Sequence, residues 1–204
     1  MAGVLRRSTF ATRRLHAPET VLFGEHLKRL DAETRRLRFG NPVNDAFLDR
    51  YAGLALGEDA LVKGCFIAGT LRGVAELRFL SGDGRDAEGA FSLEREYQGQ
   101  KIGDALFERL IAAARNRGVE RLYLTCLREN RRMQSIAHRH GAELSFTGGD
   151  GMAEIRRPYA DAESLAREWM DEGATFVFAM LEWRRQRFDF LTRPIRRLSE
   201  GRSL

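Results

Sequence analysis

Between residues 96 and 106 the chain reads EYQGQKIGDAL, a polar run with two glycines that leads into an apolar one. As a strand end, a tight loop and a helix start, this segment presents several backbone N–H groups that the first helical turn leaves without acceptors. Those donors, with the positive end of the helix dipole, favour an anion, and phosphate is the commonest guest of such a turn. Two familiar phosphate loops are excluded by spacing. No Gly-Lys-Ser/Thr follows four residues after a glycine, and no acidic residue ends the next strand at the position a dinucleotide fingerprint requires. Taken alone, the string also fits an ordinary β–α turn. A second candidate, Gly-x-Gly-x-x-Ala at residues 82–87, lies between two strands and opens no helix, so it is no dinucleotide site.

The remaining reactive side chains form no constellation. His138 and His140 are two apart on a short helix, which turns them to different faces, and no third ligand joins them, so no metal site is expected. Cys65 and Cys126 belong to no C-x-x-C pair and have no histidine at a nucleophile spacing. They read as buried free thiols in a reducing compartment, and the cytoplasm is the expected location.

The elements that would position the loop follow from periodicity. The alternating STFATRRLH reads as a first strand running to Pro18, although the Arg- and Ser/Thr-rich N-terminus has the composition of a transit peptide as well. Residues 19–30 carry Val21, Leu22, Leu27 and Leu30 at helical spacing. Asp31 caps a second short helix that stops at Gly40, and Asn44 caps a third. GCFIAGTLRGVAELRFL reads as a hairpin turning near Gly69, then a polar turn region, then GAFSLERE as a fourth strand. After the loop, Ile102, Leu106, Leu110 and Ala114 line one face of a helix that Gly118 ends. VERLYLTCL suits a central strand, NRRMQSIAHRHG a helix, and a hairpin turns around TGGDG. Residues 161–191 read as a helix with six large aromatics, too apolar for water, which predicts self-packing or a homodimer.

The net charge of +5 and a pI of about 9.7 attract a polyanion of either kind, nucleic acid or cofactor. Nearly all the cations are arginine, the only lysines being Lys28, Lys63 and Lys101, and they lie scattered without interleaved aromatics. That pattern makes a nucleic-acid-binding protein the weaker reading. No apolar run approaches the roughly 20 residues of a membrane span, so no membrane partner is expected.

From Glu88 to Ala142 the chain resembles the GNAT N-acetyltransferase superfamily, whose signature is [Q/R]-x-x-G-x-[G/A] between a fourth strand and a helix. Gln98 matches the first position and Gly103 the last. The fifth strand LYLTCL, then Asn130, then the closing Gly141 match in order and spacing. The strand, helices and hairpin of residues 8–80 fit the family's early pattern, and RLDAETRRLRFG looks most like its bacterial protein-lysine acetyltransferase branch. The resemblance implies an α/β fold over residues 8–157, a mixed and mostly antiparallel sheet flanked by helices. Residues 158–204 would form a helical extension and basic tail.

It also implies acetyl-coenzyme A as co-substrate, its pyrophosphate on Gln98, Gly99, Gln100, Lys101, Ile102 and Gly103. The pantetheine arm would lie along the fourth strand at Phe91 and Leu93, held by Asn130, and a backbone N–H near Phe91 would meet the oxyanion. Glu88, ten positions before Gln98, stands where that branch places its catalytic base, with Glu76 and Glu94 in reserve. Two positions depart from the pattern. Lys101 replaces the middle glycine, where right-handed helical torsions would keep the loop's path, and Ala137 stands where many members have a tyrosine acid. Tyr97, Tyr123 or a water would then act as the acid. The expected activity is direct acetyl transfer to an amine, a protein lysine or a small molecule, without a metal. The alternative is a non-catalytic acyl-coenzyme A-binding module.

Overall fold

The computed structural model describes residues 10–156, apart from 81, 83, 148 and 149, together with Leu165. Apart from Leu165, the proposed extension at 158–204, and with it the aromatic helix and the homodimer expectation, lies outside the described residues. Within them the order is β1 (Phe10–Leu15), α1 (Thr20–Arg29), α2 (Ala32–Phe39), α3 (Asp45–Ala55), β2 (Ala60–Ile67), β3 (Thr70–Phe79), β4 (Asp86–Leu93), α4 (Ile102–Arg115), β5 (Arg121–Leu127), α5 (Arg131–Arg139), β6 (Glu143–Thr147) and β7 (Asp150–Arg156).

The strands form one sheet in the order β1-β2-β3-β4-β5-β7-β6, antiparallel at every pair except β4 with β5. Local signals account for most boundaries. Asp31 and Asn44 accept hydrogen bonds from Thr34 N and Phe47 N as N-caps, and Gly40 ends α2 at φ 75°. Ala68 and Gly69 both take positive φ, which makes the two-residue turn whose twist suits a hairpin between β2 and β3. β4 starts at Asp86, earlier than the polar turn region suggested, so Glu88 is its third residue and is paired on both sides.

Two apolar clusters cover the sheet's two faces. Ile102, Leu106, Phe107 and Leu110 of α4, all at most 1% exposed, pack with Leu122, Leu124, Ala153 and Ile155. Leu15, Phe23, Leu27, Leu48, Val62 and Val74 form the second cluster beneath α1 and α3. The four α4 positions predicted to line one face are all buried. Cys65 and Cys126 are buried free thiols, and burial pushes the Cys65 thiol up to about 12.

Candidate active site

The parallel ladder between β4 and β5 has three residue pairs, ending at Glu88 with Tyr123. Beyond it the edge of β4 from Gly89 to Leu93, about 16 Å of extended chain, has no strand against it on the β5 side among the described residues. A sheet edge of this kind offers free amide donors and acceptors to any extended amide-bearing guest.

The end of β4 is held by a buried polar network that no local sequence pattern marks. His26 of α1, fully buried, hydrogen-bonds Ser92 Oγ through Nε2 at 2.9 Å and Glu94 through Nδ1 at 3.3 Å. Glu94 also accepts from Arg29 at 2.9 Å and Arg72 at 2.7 Å, and its backbone N–H donates to Arg72 O. Burial would raise the Glu94 carboxyl, but the hydrogen bonds from His26, Arg72 and Arg29 outweigh it and hold the group at about 2. Burial pulls His26 below its ordinary value against the opposing pull of Glu94. The end of β4 is therefore tied to α1 and β3, on the side away from β5. Ser92, His26 and Glu94 have the composition of a nucleophilic triad, but Ser92 is 3% exposed and His26 has no access to solvent, so their role is to brace.

A cleft of about 1060 Å³ runs from α4 and α5 across the free edge of β4 to α2. Of the residues expected there, Phe91, Leu93, Gln98, Gly99, Lys101, Gly103 and Asn130 line it. Phe91 stacks on Phe107 of α4, with ring centroids 5.1 Å apart, so its side chain shapes the wall. Gln98 ties the loop together: its amide donates to Leu93 O at 2.8 Å, and its Oε1 accepts from Arg132 at the start of α5. Gln100 folds back to Glu96 O, and Ile102 is buried in the core beneath the loop, so neither side chain is in the cleft lining. Asn130 caps α5 through Oδ1 to Met133 N.

The amides of Lys101, Ile102, Gly103 and Asp104 find no acceptor among the described residues, since the first α4 bond runs from Ala105 N to Lys101 O. They form an anion nest at a helix start. Gly103 permits this approach: a Cβ there would stand 3.1 Å from Ile136 of α5. Lys101 does not take the right-handed torsions expected of it. It caps α4 at φ 64°, in the left-handed region that glycine enters freely, so the family's middle glycine reflects a backbone need that this chain meets under strain. Its ammonium is exposed and has no partner among the described residues.

The three carboxylates now separate. Glu94 is bound by cations on both oxygens, as described. Glu76, 5% exposed, accepts from Arg38 at 2.7 Å and from the Tyr51 hydroxyl at 2.7 Å. Glu88 is half-buried, and its carboxylate has no hydrogen-bond or ion-pair partner among the described residues. Alternation along β4 points Ala87, Gly89 and Phe91 toward α4, and so Glu88, Ala90 and Ser92 toward the α1–α3 face. Glu88 is not part of the cleft lining; it stands at the point where β4 and β5 begin to part, about 10 Å along the strand from Phe91. Its register partner on β5 is Tyr123, on the same face. Tyr97 is beneath Arg72, 5.4 Å from its guanidinium, and Ala137 is buried in the core. His140 stacks on Phe107 near Asp104, and His138 is exposed.

Sequence reasoning missed the α2 wall, where Thr34, Leu37 and Arg38 line the cleft, and the arginines Arg131 and Arg132 that open α5. No periodicity marks Arg38. The two arginines were findable: they follow a capping Asn in a helical turn where acids are the favourable charge.

The family model of the acetyltransferase (GNAT) family matches residues 25–142. Among curated proteins no sequence matches the chain. Solved structures do. The GNAT domain of S. lividans PAT superposes with a TM-score of 0.63 at 18% identity, covering 76% of this chain and all of that one. PaiA N-acetyltransferase from Thermoplasma acidophilum, solved with coenzyme A, gives 0.56 at 19% identity, covering 73% of this chain and 99% of that one. A cAMP-binding acyltransferase from Mycobacterium smegmatis gives 0.52 at 26% identity, covering 78% of this chain and 48% of that one. With more than half of its length inside the family match, and with a sheet that opens between β4 and β5 above a helix start, this chain is an N-acetyltransferase belonging to the GNAT family.

Proposed function

We propose that the protein moves the acetyl group of acetyl-coenzyme A directly to an amine, with Glu88 as general base. The observation that carries this reading is the free edge of β4 ending at a row of unpaired amides. The edge suits the amides of a pantetheine arm, and the amides of residues 101–104 suit a pyrophosphate. The solved relative with coenzyme A supports the same cofactor class.

An amine acceptor with a pKa near 10.4 must lose a proton before or while its nitrogen attacks the thioester carbonyl. Glu88 is the carboxylate left free to take it, directly or through water, while Glu76 and Glu94 are held in ion pairs. A backbone N–H of β4 near Phe91 would meet the oxyanion as the tetrahedral centre forms. The thiolate, a good leaving group with a pKa near 8.5, then departs and takes up a proton. Tyr123, paired with Glu88 across the ladder, would supply it. The acceptor is a protein lysine or a small amine. Thiol release measured against a panel of basic peptides, polyamines and amino sugars tests the activity. Glu88→Gln should lower kcat by about 10²–10⁴-fold, the usual share of a general base, with coenzyme A affinity unchanged. Full activity of that variant across the pH range would reject the base role, and binding without release against the whole panel would favour a regulatory acyl-coenzyme A module.

A further inference from the structure

The cations that line the cleft divide according to whether an acceptor already holds them. Arg38 is held by Glu76 and Tyr51, Arg132 by Gln98, and Arg139 by Asp104 at 2.6 Å. Arg95 stands in the field of Asp31 and Glu33 on α2. Lys101 and Arg131 are exposed and have no acceptor among the described residues. They start adjacent helices, for α4 and α5 pack together, with the place of a Gly103 Cβ 3.1 Å from Ile136 and Arg139 bonded to Asp104.

Their positions differ in what they can reach. Lys101 is the capping residue of the amide nest itself, so its ammonium accompanies whatever anion those amides bind. Arg131 opens α5 in a first turn that holds two arginines and no acid. Positive charge there opposes the helix dipole, an arrangement that an incoming anion would relieve. Coenzyme A carries two separate anionic centres: the pyrophosphate, and a 3′-phosphate monoester of charge near −2 at neutral pH. With the thiol end along β4 and the pyrophosphate at the start of α4, the ribose end would continue past that turn, and the start of α5 lines the same cleft beside it. We infer that Arg131 is the residue that selects the 3′-phosphorylated cofactor, while Lys101 serves the pyrophosphate. The inference rests on the coenzyme A reading of the cleft.

Calorimetry on the full chain separates the two roles, using coenzyme A and 3′-dephospho-coenzyme A as ligands. The wild type should bind coenzyme A about tenfold more tightly, one charge-assisted contact's worth. Arg131→Ala should reduce coenzyme A to the affinity of the dephospho form while leaving the latter unchanged, and Arg131→Gln, which keeps the stem, should do the same. Lys101→Asn, which tolerates the left-handed backbone, should weaken both ligands alike. Equal affinities in the wild type, or an equal loss for both ligands in Arg131→Ala, would overturn the assignment while leaving the cofactor reading intact. Failure of both ligands to bind the wild type would remove the reading itself.

Discussion

Lys101 is strained and exposed at the same time, and the two properties make opposite predictions for one substitution. A non-glycine residue at φ 64° gives up about 1–2 kcal/mol relative to a right-handed one. Lys101→Gly should therefore stabilise the protein by up to about 1 kcal/mol, since glycine's freedom in the unfolded chain takes back part of the gain. The same change removes a cation from the amide nest, so coenzyme A affinity should fall. Urea unfolding and calorimetry on one preparation would show both. Glu94 makes a prediction in pH. Its carboxyl ordinarily titrates at 4.5 and in the folded protein at about 2. A depressed carboxyl stabilises fully above its unfolded value, so this contribution is present at neutral pH and is lost as pH falls from 4.5 through 2. Discounted for solvent, the contribution is about 2 kcal/mol. Glu94→Gln should lower stability at pH 7 and flatten the acid limb of the unfolding curve between those values. An unchanged acid limb would mean that His26, Arg29 and Arg72 do not act through the charge.

At the scale of elements the decisive feature is β4, which is paired to β3 from Ala87 to Leu93 and to β5 along only its first three residues. Gly89 sits where that second ladder stops. A Cβ on it would meet Leu110 of α4 at 2.8 Å and Leu124 of β5 at 3.1 Å, so α4 crosses close beneath the parting strands only because that side chain is missing. Gly89→Val should cost about 1–3 kcal/mol by overpacking and should weaken coenzyme A binding by moving α4 and its amides. A variant as stable and as tight as wild type would show that the close crossing does not matter. Much of this element was legible in the sequence. The helical face of Ile102, Leu106, Leu110 and Ala114, the caps at Asp31 and Asn44, and the loop at 98–103 are local patterns, and local patterns are what one sequence carries. The parting of β4 from β5 was not legible, because pairing depends on partners far along the chain. The brace of His26, Ser92 and Glu94 joins positions 66 and 68 residues apart, with nothing in their spacing to connect them. The left-handed torsion of Lys101 was hidden for another reason: lysine is a residue that rarely adopts it, so the residue type pointed away from the geometry.

On the scale of the whole molecule, the sheet consists of two blocks, β1 to β4 and β5-β7-β6, joined by three residue pairs, by α2, which touches β4 and β5, and by α4, which packs against β2, β3 and β4 on one side and α5 on the other. The first block is braced by a second apolar cluster and by the buried ion pairs of Glu76 and Glu94; the second shares the α4–α5 cluster and meets α2 only at β5 among the described residues. Local opening favours the part with fewer buried contacts, so the amides of β5, β6, β7 and α5 should exchange with deuterium faster than those of β2 and β3 in the free protein. Coenzyme A, lying along β4 with its phosphates on the starts of α4 and α5, would bridge the blocks where their own ladder is missing. A ligand that binds only the folded form at a hundred times its Kd adds about 2.7 kcal/mol. If it acts as a bridge, that gain should not spread evenly. Exchange measured with saturating coenzyme A should slow most in α5 and β5 and in the amides of residues 99–104, and least in β1 and β2, whose partners it never meets. Protection that rises uniformly would mean that the blocks already open as one unit. Protection confined to the loop at 99–104 would mean that the cofactor is bound at its phosphates alone and does not use the free edge of β4.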